Sequence, residues 1–368
     1  MKVLHVYKDV HPEVSGGIER HIDELRRSVP GTVASVLVCS GSSRTRLRYD
    51  EHGLCVGVGE FGRPLSTPLS PAFPYWLKRI EADLLHLHAP NPTGELAALV
   101  ARDGRPMVVS YHADIVRQAL LLPIYRHLVE RVLDSAGAIV TGTHALKASS
   151  TLLSRHRDQV DVIPYAVDTL RFSPEAVDQR AVSEVRVRFG GKLVLATGRL
   201  VYYKGFERLI ELAPRLDATV VIAGSGPLAE RLREQASGVP NVHMTGRIDD
   251  DELRVLLAAA DVFVLPSTNR AESFGIATLE AQSMGTPAVV TDVGTGTVEA
   301  IEHGTTGLVV PARDDAALVG AIQELLADDK RRTAMGRAAR LRVVSTRGMD
   351  TAAEQFAALY DRVMQSAR

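Results

Sequence analysis

Two basic residues follow a predicted strand end in the second half of the chain. Arg199 and Lys204 lie within residues 198–205, between a short apolar run and a helical pattern. Cationic side chains and the free backbone N–H groups at a helix start bind phosphate groups. This segment can therefore hold a diphosphate, although two solvated surface cations would give the same pattern.

Two glutamates, Glu272 and Glu280, are separated by seven residues at a predicted strand-to-helix junction. We expect Glu280 about two turns into the helix and on nearly the same face as Glu272. Two carboxylates aimed along one cleft can accept charge-assisted hydrogen bonds from vicinal sugar hydroxyls. Acidic residues that favour the N-terminal end of a helix dipole would show the same spacing.

Two other motifs suggest ligand sites that we reject. Residues 224–229 match the G-x-G-x-x-[GA] dinucleotide fingerprint, but they follow the second strand of their domain, and the next strand end offers Arg247 in place of an acidic residue. Residues 249–251 are three aspartates that resemble a metal-binding DxD. They open a predicted helix, where acidic side chains cap free N–H groups. We expect neither NAD nor a required metal or other cofactor.

Short apolar runs alternate with amphipathic stretches, a pattern typical of βαβ units around a parallel sheet. The chain runs through this pattern twice. The predicted strands are 2–7, 32–38, 84–88, 107–111, 138–141 and 159–163 in the first half, and 192–197, 218–223, 242–245, 262–266, 288–291 and 307–310 in the second. Ligands of such sheets bind beyond the carboxyl ends of the strands.

These repeats predict an N-terminal domain of residues 1–168, a linker of residues 169–183 without clear period, and a C-terminal domain of residues 184–350. Two similar α/β domains joined by one linker leave a cleft between them. We therefore expect an α/β protein with two doubly wound parallel sheets facing each other across that cleft.

The overall composition narrows the function classes. A net charge of −1 gives no general electrostatic reason to bind nucleic acid. Cys39 and Cys55 have neither metal-ligand spacing nor a disulfide framework, which favours a reducing compartment and a cytoplasmic protein. A basic run at residues 330–349, and Trp76 with its basic neighbours, can touch anionic lipid, although solvated helix faces explain both better.

Several motifs together resemble one known family, the retaining GT-B glycosyltransferases of family four, also called glycosyl transferases group 1. The motifs that carry the resemblance are Gly16-Gly17-Ile18-Glu19, Gly198-Arg199, Lys204-Gly205, Pro266-Ser267, Glu272-Ser273-Phe274-Gly275, Leu279-Glu280-Ala281, Gly285-Thr286-Pro287 and Gly307-Leu308-Val309-Val310-Pro311. Residues 198–206, 111–116 and 294–297 are also similar to the bacterial mannosyltransferases that build O-antigen and related polysaccharides.

The resemblance implies roles for individual residues of the C-terminal domain. Arg199 and Lys204 would bind the donor diphosphate, Glu280 the ribose hydroxyls, and Glu272 the 3- and 4-hydroxyls of the transferred sugar. Backbone N–H groups around Phe274 and Gly275 would hold the sugar and phosphate. We also place Gly198, Gly226 and Arg247 at this donor-binding edge.

In the N-terminal domain, the resemblance implies that Gly16 and Gly17 let a loop close on the diphosphate. It implies that His112 faces the donor sugar across the cleft, and that the last helix, residues 351–368, packs back on this domain. The family commonly has Asn-Gly before Val-Asp at the domain boundary, whereas here Tyr165 and Ala166 occupy those positions.

The implied activity is retaining, metal-independent transfer of a hexose from a nucleotide sugar. The resemblance favours mannose from GDP-mannose, moved to a saccharide or lipid-linked acceptor in cell-surface polysaccharide synthesis, with peripheral membrane contact as one option. A UDP-sugar-dependent transferase of the same fold, a nucleotide-sugar epimerase, a dehydrogenase and a catalytically idle sugar-binding subunit stay open as alternatives. We expect acceptor contacts in the loops at residues 40–50 and 116–123.

Overall fold

The computed structural model describes residues 1–14, 16–64, 67–101, 104–115 and 122–367. Contacts between residues divide the chain into two units, Met1–Tyr165 with Met349–Arg368 and Ala166–Gly348. The division falls after Tyr165, so residues 169–183, expected to be a linker, belong to the second unit.

Parallel strands form the centre of the first unit. Among the described residues its strands are β1 (Lys2–Val6), β2 (Val33–Cys39), β3 (Arg46–Asp50), β4 (Gly53–Val58), β5 (Leu84–Ala89), β6 (Met107–Tyr111), β7 (Ala138–Thr141) and β8 (Val160–Val162). They pair in the order β3-β4-β2-β1-β5-β6-β7-β8, and only β3 runs antiparallel to its neighbour. The described helices before the domain boundary are α1 (Gly17–Ser28), α2 (Phe73–Arg79), α3 (Pro92–Ala101), α4 (Leu122–Asp134) and α5 (His144–Ser149).

The second unit repeats the scheme with an all-parallel sheet. Its strands within the described chain are β9 (Leu193–Thr197), β10 (Thr219–Ala223), β11 (Val242–Gly246), β12 (Val262–Leu265), β13 (Ala288–Asp292) and β14 (Gly307–Pro311). They pair in the order β11-β10-β9-β12-β13-β14. The accompanying helices are α6 (Gln179–Phe189), α7 (Phe206–Leu212), α8 (Ala229–Ser237), α9 (Asp250–Ala259), α10 (Ala277–Ser283), α11 (Asp315–Ala327) and α12 (Asp329–Thr346).

The last helix, α13 (Met349–Ser366), belongs to the first unit, where it contacts α1 and β6. Its buried Tyr360 has its hydroxyl 2.7 Å from Nδ1 of His86 on β5. The chain therefore completes the first unit only after it has formed the second.

Buried apolar strand residues explain why these sheets form. The side chains of β6, β7, β9 and β12 are buried along their whole lengths, as expected for parallel strands covered on both faces. The prediction of an α/β protein with two doubly wound parallel sheets is confirmed. The pair β3 and β4 was not predicted, because every residue of β3 is exposed and its sequence has no buried face to detect.

Two smaller predictions can also be compared with the structure. Asp249 accepts hydrogen bonds from the backbone N–H groups of Asp251 and Glu252, so the aspartate run caps α9 as predicted. Cys39 and Cys55 are buried free thiols, which agrees with the lack of a disulfide framework in the sequence. No helix in the described part of the chain combines the length and apolar character needed to cross a bilayer.

The basic run at residues 330–349 lies mainly on α12, and several of its arginines have acidic partners. Arg332 lies 3.1 Å from Asp261, and Arg340 lies 2.8 Å from Glu175. Arginines held in such pairs are less available to a lipid surface.

Five buried histidines gather in the core of the first unit: His5 on β1, His86 and His88 on β5, His112 after β6, and His21 on α1. Burial lowers the pKa of His5 to about 3 and that of His21 to about 4. Burial also lowers the pKa of the other three histidines well below 6.5. These side chains are therefore neutral at neutral pH in the folded protein.

We expect the first unit to lose stability in mild acid. Below about pH 6.5 these histidines become protonated in the unfolded chain but stay neutral in the folded protein. The free energy of unfolding therefore falls as the pH drops. Each such histidine lowers the free energy of unfolding at pH 5.5 by about 1.4 kcal/mol relative to pH 7.5. Urea unfolding followed by fluorescence of Trp76, the single tryptophan of the chain, reports on this unit at both pH values.

His21→Gln should reduce that acid-induced loss, because it removes one buried histidine. His127, an exposed residue of α4, provides the control. Equal pH dependence in the wild type and His21→Gln would contradict the expectation.

Candidate functional site

The carboxyl ends of the six described parallel strands, β9 to β14, lie at one edge of the second sheet. The chain builds β10 and β11 on one side of β9 and then returns to build β12 on the other side. Loops therefore diverge between β9 and β12, which is where doubly wound sheets bind ligands. The loop after β9 carries Gly198, Arg199 and Lys204, and the loop after β12 carries Glu272.

An ion pair joins these two loops. Nζ of Lys204 lies 2.7 Å from Oε2 of Glu272, and both side chains are largely buried. The backbone supports the contact, since the N–H of Thr268 donates to the carbonyl oxygen of Tyr203 over 2.8 Å. The structure thus brings Lys204 and Glu272 into contact. The resemblance assigns Lys204 to the donor diphosphate and Glu272 to the transferred sugar.

Glu272 is held from several sides. The hydroxyl of Ser267, which is fully buried, donates to Oε2 of Glu272 over 3.1 Å, and the Thr295 hydroxyl donates to its backbone carbonyl over 2.7 Å. The other carboxylate oxygen, Oε1, makes no hydrogen bond to any residue that the structure describes. One oxygen is therefore fixed by the protein, while the other keeps its capacity to accept hydrogen bonds.

Lys204 is folded back over the strand end. Its N–H donates to the carbonyl oxygen of Val201 over 3.1 Å, and its ammonium lies close to Gly198, which has a φ of +143°. Arg199 is exposed and forms neither a hydrogen bond nor an ion pair with the described residues. The loop thus presents one constrained cation and one exposed cation at the same strand end.

Glu280 lies in the first turn of α10, and not two turns into a helix that begins near Glu272 as the sequence analysis expected. Residues 273–276, between Glu272 and the start of α10, are not helical. Gly275 in this stretch has a φ of +82°, and a Cβ there would overlap Leu265. Glu272 therefore lies on a loop. Glu280 is 4% exposed.

Phe274 precedes this glycine and is buried at 2% exposure. The guanidinium of Arg347 lies over its ring, 5.8 Å from the ring centroid, at a distance typical of a cation–π contact. The loop that carries the Phe274 and Gly275 backbone is thus anchored from the end of the second unit.

The glycines after β10 have a structural role that explains the dinucleotide-like motif. A Cβ on Gly226 would overlap the backbone of Leu200, and one on Gly224 would overlap the carbonyl of Gly198. The N–H of Leu200 donates to the carbonyl oxygen of Ser225 over 2.8 Å. These glycines let the loop after β10 pack against the loop of Arg199. Arg247 follows β11 and is exposed.

Gly16 and Gly17 lie in the first unit, at the start of α1. Gly16 is the N-cap residue, and a Cβ there would overlap the carboxylate of Glu19. A carboxylate at this position interacts favourably with the N-terminal end of the helix dipole. Gly16 therefore leaves room for the Glu19 carboxylate at this helix start.

His112 is 2% exposed, and both of its ring nitrogens already have partners in the first unit. Nε2 lies 2.9 Å from Nδ1 of His88, and Nδ1 lies 2.9 Å from the hydroxyl of Tyr165. A ring contact with a donor sugar would require exchange of one of these hydrogen bonds. The role given to His112 stays a prediction with that added condition.

Sequence reasoning did not single out Ser267, Thr295 or Tyr165 as site residues. Ser267 was quoted only as part of a motif, although its position directly after a buried strand was a usable signal. Tyr165 was noted as a departure from the family pattern, but its contact with His112 depends on the packing of separate strands. Residues 116–121 of the expected acceptor loop lie outside the described residues.

Comparison with known proteins identifies the family. The model described as Glycosyl transferases group 1 matches residues 180–342, and the model described as Glycosyltransferase Family 4 matches residues 15–171. The O-antigen chain mannosyltransferase C of Escherichia coli is 32% identical over 100% of both chains. A D-rhamnosyltransferase of Pseudomonas aeruginosa is 34% identical over 93% of this chain and 91% of its own.

Solved structures agree on the fold. Sucrose-phosphate synthase from Thermosynechococcus elongatus superposes with a TM-score of 0.83 at 20% identity, covering 99% of both chains. Anabaena HepE in complex with UDP superposes with a TM-score of 0.74 at 20% identity, covering 98% of this chain and 100% of its own. The chain therefore belongs to glycosyltransferase family 4, the glycosyl transferases group 1, and is a glycosyltransferase of the GT-B fold.

Proposed function

We propose that this glycosyltransferase moves mannose from GDP-mannose to a saccharide or lipid-linked acceptor in cell-surface polysaccharide synthesis, with retention of anomeric configuration and without a required metal. The observation that carries the proposal is the Glu272 carboxylate, with Oε2 held by Lys204 and Ser267 and Oε1 unengaged among the described residues. An oriented carboxylate beside a fixed cation suits a sugar diphosphate, which is hydroxyl-rich at one end and anionic at the other.

Lys204 can serve both ends of such a donor. An ammonium group has three N–H donors, so Lys204 can keep its contact with Glu272 while another N–H donates to a phosphate oxygen. Arg199 adds a second cation at the same strand end. Glu272 would accept from sugar hydroxyls through Oε1, and Glu280 would accept from the ribose.

The reaction follows from where charge develops. The bond between the anomeric carbon and the phosphate oxygen breaks, and a bond to the acceptor oxygen forms on the same face of the sugar. The acceptor's proton passes to the departing phosphate oxygen. Lys204, Arg199 and the N–H groups near Gly275 stabilise the negative charge that grows on the leaving diphosphate.

Metal independence is supported by the partners of the aspartate run. Asp249 caps α9, Asp250 lies 2.5 Å from Arg171, and Asp251 lies 2.6 Å from Arg254. These carboxylates already have cationic or N–H partners, and the proposed phosphate ligands are themselves cationic.

The choice of mannose rests on relatives. Besides the Escherichia coli protein, a GDP-mannose-dependent alpha-(1-6)-phosphatidylinositol monomannoside mannosyltransferase of Mycobacterium tuberculosis is 30% identical over 97% of both chains. A lipid-linked acceptor agrees with that relative's name, and it would bring a cytoplasmic enzyme to the membrane surface.

We expect GDP-mannose to raise the melting temperature more than UDP-sugars do, and to support transfer in the presence of EDTA. A ligand at 100 times its dissociation constant stabilises by about 2.7 kcal/mol. A thermal-shift panel followed by product analysis with anomeric NMR measures donor choice and stereochemistry together. Loss of all transfer in EDTA with recovery in manganese or magnesium would contradict metal independence, and preference for a UDP-sugar would contradict the donor.

Arg199→Ala should slow transfer at least about tenfold while leaving the melting temperature unchanged, because it removes one charge from the developing diphosphate. Arg180→Ala is the matched control, since Arg180 is also exposed and lies in the same unit on α6. Initial rates at saturating donor compare the two variants. Equal rates in the two variants would show that Arg199 has no role in transfer.

Substitution of the two glutamates should have different effects on nucleotide affinity and on the rate of transfer. Glu280→Gln should weaken GDP and GDP-mannose alike, because both contain the ribose. Glu272→Gln should reduce transfer without weakening GDP, because it removes the sugar-binding carboxylate and releases the Lys204 ammonium from its partner. A charge-assisted hydrogen bond gives losses of roughly 10- to 150-fold, measurable by calorimetry and initial rates. The reverse pattern would show that the donor lies in the opposite direction.

A further inference from the structure

A continuous line of hydrogen bonds crosses the histidine cluster of the first unit. Nδ1 of His5 lies 3.0 Å from Nε2 of His88, Nδ1 of His88 lies 2.9 Å from Nε2 of His112, and Nδ1 of His112 lies 2.9 Å from the Tyr165 hydroxyl. We propose that His5, His88 and Tyr165 are positioning residues that fix the orientation and tautomer of His112 through this line, which we call the histidine chain. The proposal rests on the proposed function and on the role that the family resemblance implies for His112, contact with the donor sugar.

The histidine chain permits only two arrangements of protons. A neutral imidazole has one N–H and one bare nitrogen, so each histidine must donate on one side and accept on the other. If His5 donates from Nδ1, then His88 and His112 must also carry their protons on Nδ1. If His5 accepts at Nδ1, all three carry their protons on Nε2. The tautomer of His112 is therefore tied to that of His5, two hydrogen bonds away.

Burial keeps the three histidines of the histidine chain neutral, so each ring has one N–H and one bare nitrogen. His5 is 1% exposed, His88 is not exposed, and burial lowers the pKa of all three histidines. The titratable or charged neighbours are His86 of β5, whose ring lies 4.2 Å from that of His88 between centroids, and His21 and Arg26 of α1. They disfavour a proton on these rings further.

A metal ion at His5, His86 and His88 is the competing explanation, because their ligand atoms lie within 4.8 Å of one another. The hydrogen bonds disfavour it. Both nitrogens of His86 have partners, Tyr360 at 2.7 Å and Ser110 at 2.7 Å, and both nitrogens of His88 belong to the histidine chain. The rings of His86 and His88 are stacked with centroids 4.2 Å apart, so their in-plane lone pairs do not converge.

Tyr165 closes the histidine chain at the end of the first unit. Its ring packs against Gly142, where a Cβ would overlap it, and against the ring of His112 at 5.9 Å between centroids. Because His88 encloses the Nε2 side of His112, we infer that a sugar hydroxyl replaces Tyr165 at Nδ1. The histidine chain then decides whether that nitrogen donates to the sugar or accepts from it.

The first test reads tautomers directly. In protein labelled with ¹⁵N-histidine, single His→Gln variants assign the ring signals, and two-bond proton–nitrogen correlations identify the bare nitrogen of each ring. We expect His5, His88 and His112 to be neutral at pH 7 and to share one tautomer. Mixed tautomers, a charged ring, or zinc retained by the wild type but lost in His5→Gln would overturn the proposal.

The second test separates positioning from core packing. His88→Gln and His86→Gln make the same change on the same strand at two fully buried sites, and only His88 belongs to the histidine chain. Tyr165→Phe removes one hydroxyl and keeps the ring. We expect His88→Gln to lower kcat about tenfold with GDP affinity unchanged, whereas His86→Gln lowers only the melting temperature. Because the sugar takes the place of the Tyr165 hydroxyl, Tyr165→Phe should keep kcat near the wild-type value while it alters the His112 tautomer spectrum of the free protein.

The results of these tests separate the positioning role of the histidine chain from the proposed transfer activity. Equal kcat losses in His86→Gln and His88→Gln would reduce the histidine chain to core packing and overturn the positioning role. A loss of kcat in Tyr165→Phe as large as that in His88→Gln would overturn the inference that the sugar replaces Tyr165. A protein that transfers from no nucleotide sugar would contradict the proposed function and the positioning role with it, while the tautomer spectra would still report whether the histidine chain exists.

Discussion

The ion pair between Lys204 and Glu272 is the contact on which the candidate site depends. Both charges are largely removed from water, at 11% and 8% side-chain exposure. Desolvation offsets much of the attraction in such pairs, so they add little net stability, whereas removal of one partner costs roughly 3–5 kcal/mol. The pair is better explained by position than by stability, because it fixes a cation and a carboxylate at the point where the loops of the sheet diverge.

That position follows from topology, and this explains what the sequence could predict. The strands around Arg199 and Glu272 are short apolar runs, and parallel order places their carboxyl ends at one edge. A site built from both loops was therefore predictable. The contact itself was not, because Lys204 and Glu272 are far apart in the chain and meet only through the separate packing of β9 and β12.

Local backbone conformation marks the other limit of the sequence analysis. The spacing of Glu272 and Glu280 suggested one continuous helix, but the left-handed conformation at Gly275 delays the helix until Ala277. The same glycine that matched a family motif thus changed the geometry inferred from residue spacing. His112 shows the converse problem, since its motif predicted a site residue while its two partners, His88 and Tyr165, depend on tertiary packing.

The two units carry different side chains at equivalent points of their sheets: neutral histidines in the first unit and charged residues in the second. In the second, the divergence of loops between β9 and β12 carries fixed charges. In the first, the chain also reverses direction of growth, between β1 and β5, and these strands carry histidines that burial keeps neutral. A cationic imidazole attracts anions, whereas a neutral imidazole can only exchange hydrogen bonds. The first unit therefore offers neutral hydrogen-bonding groups at the point where the second unit offers charged ones.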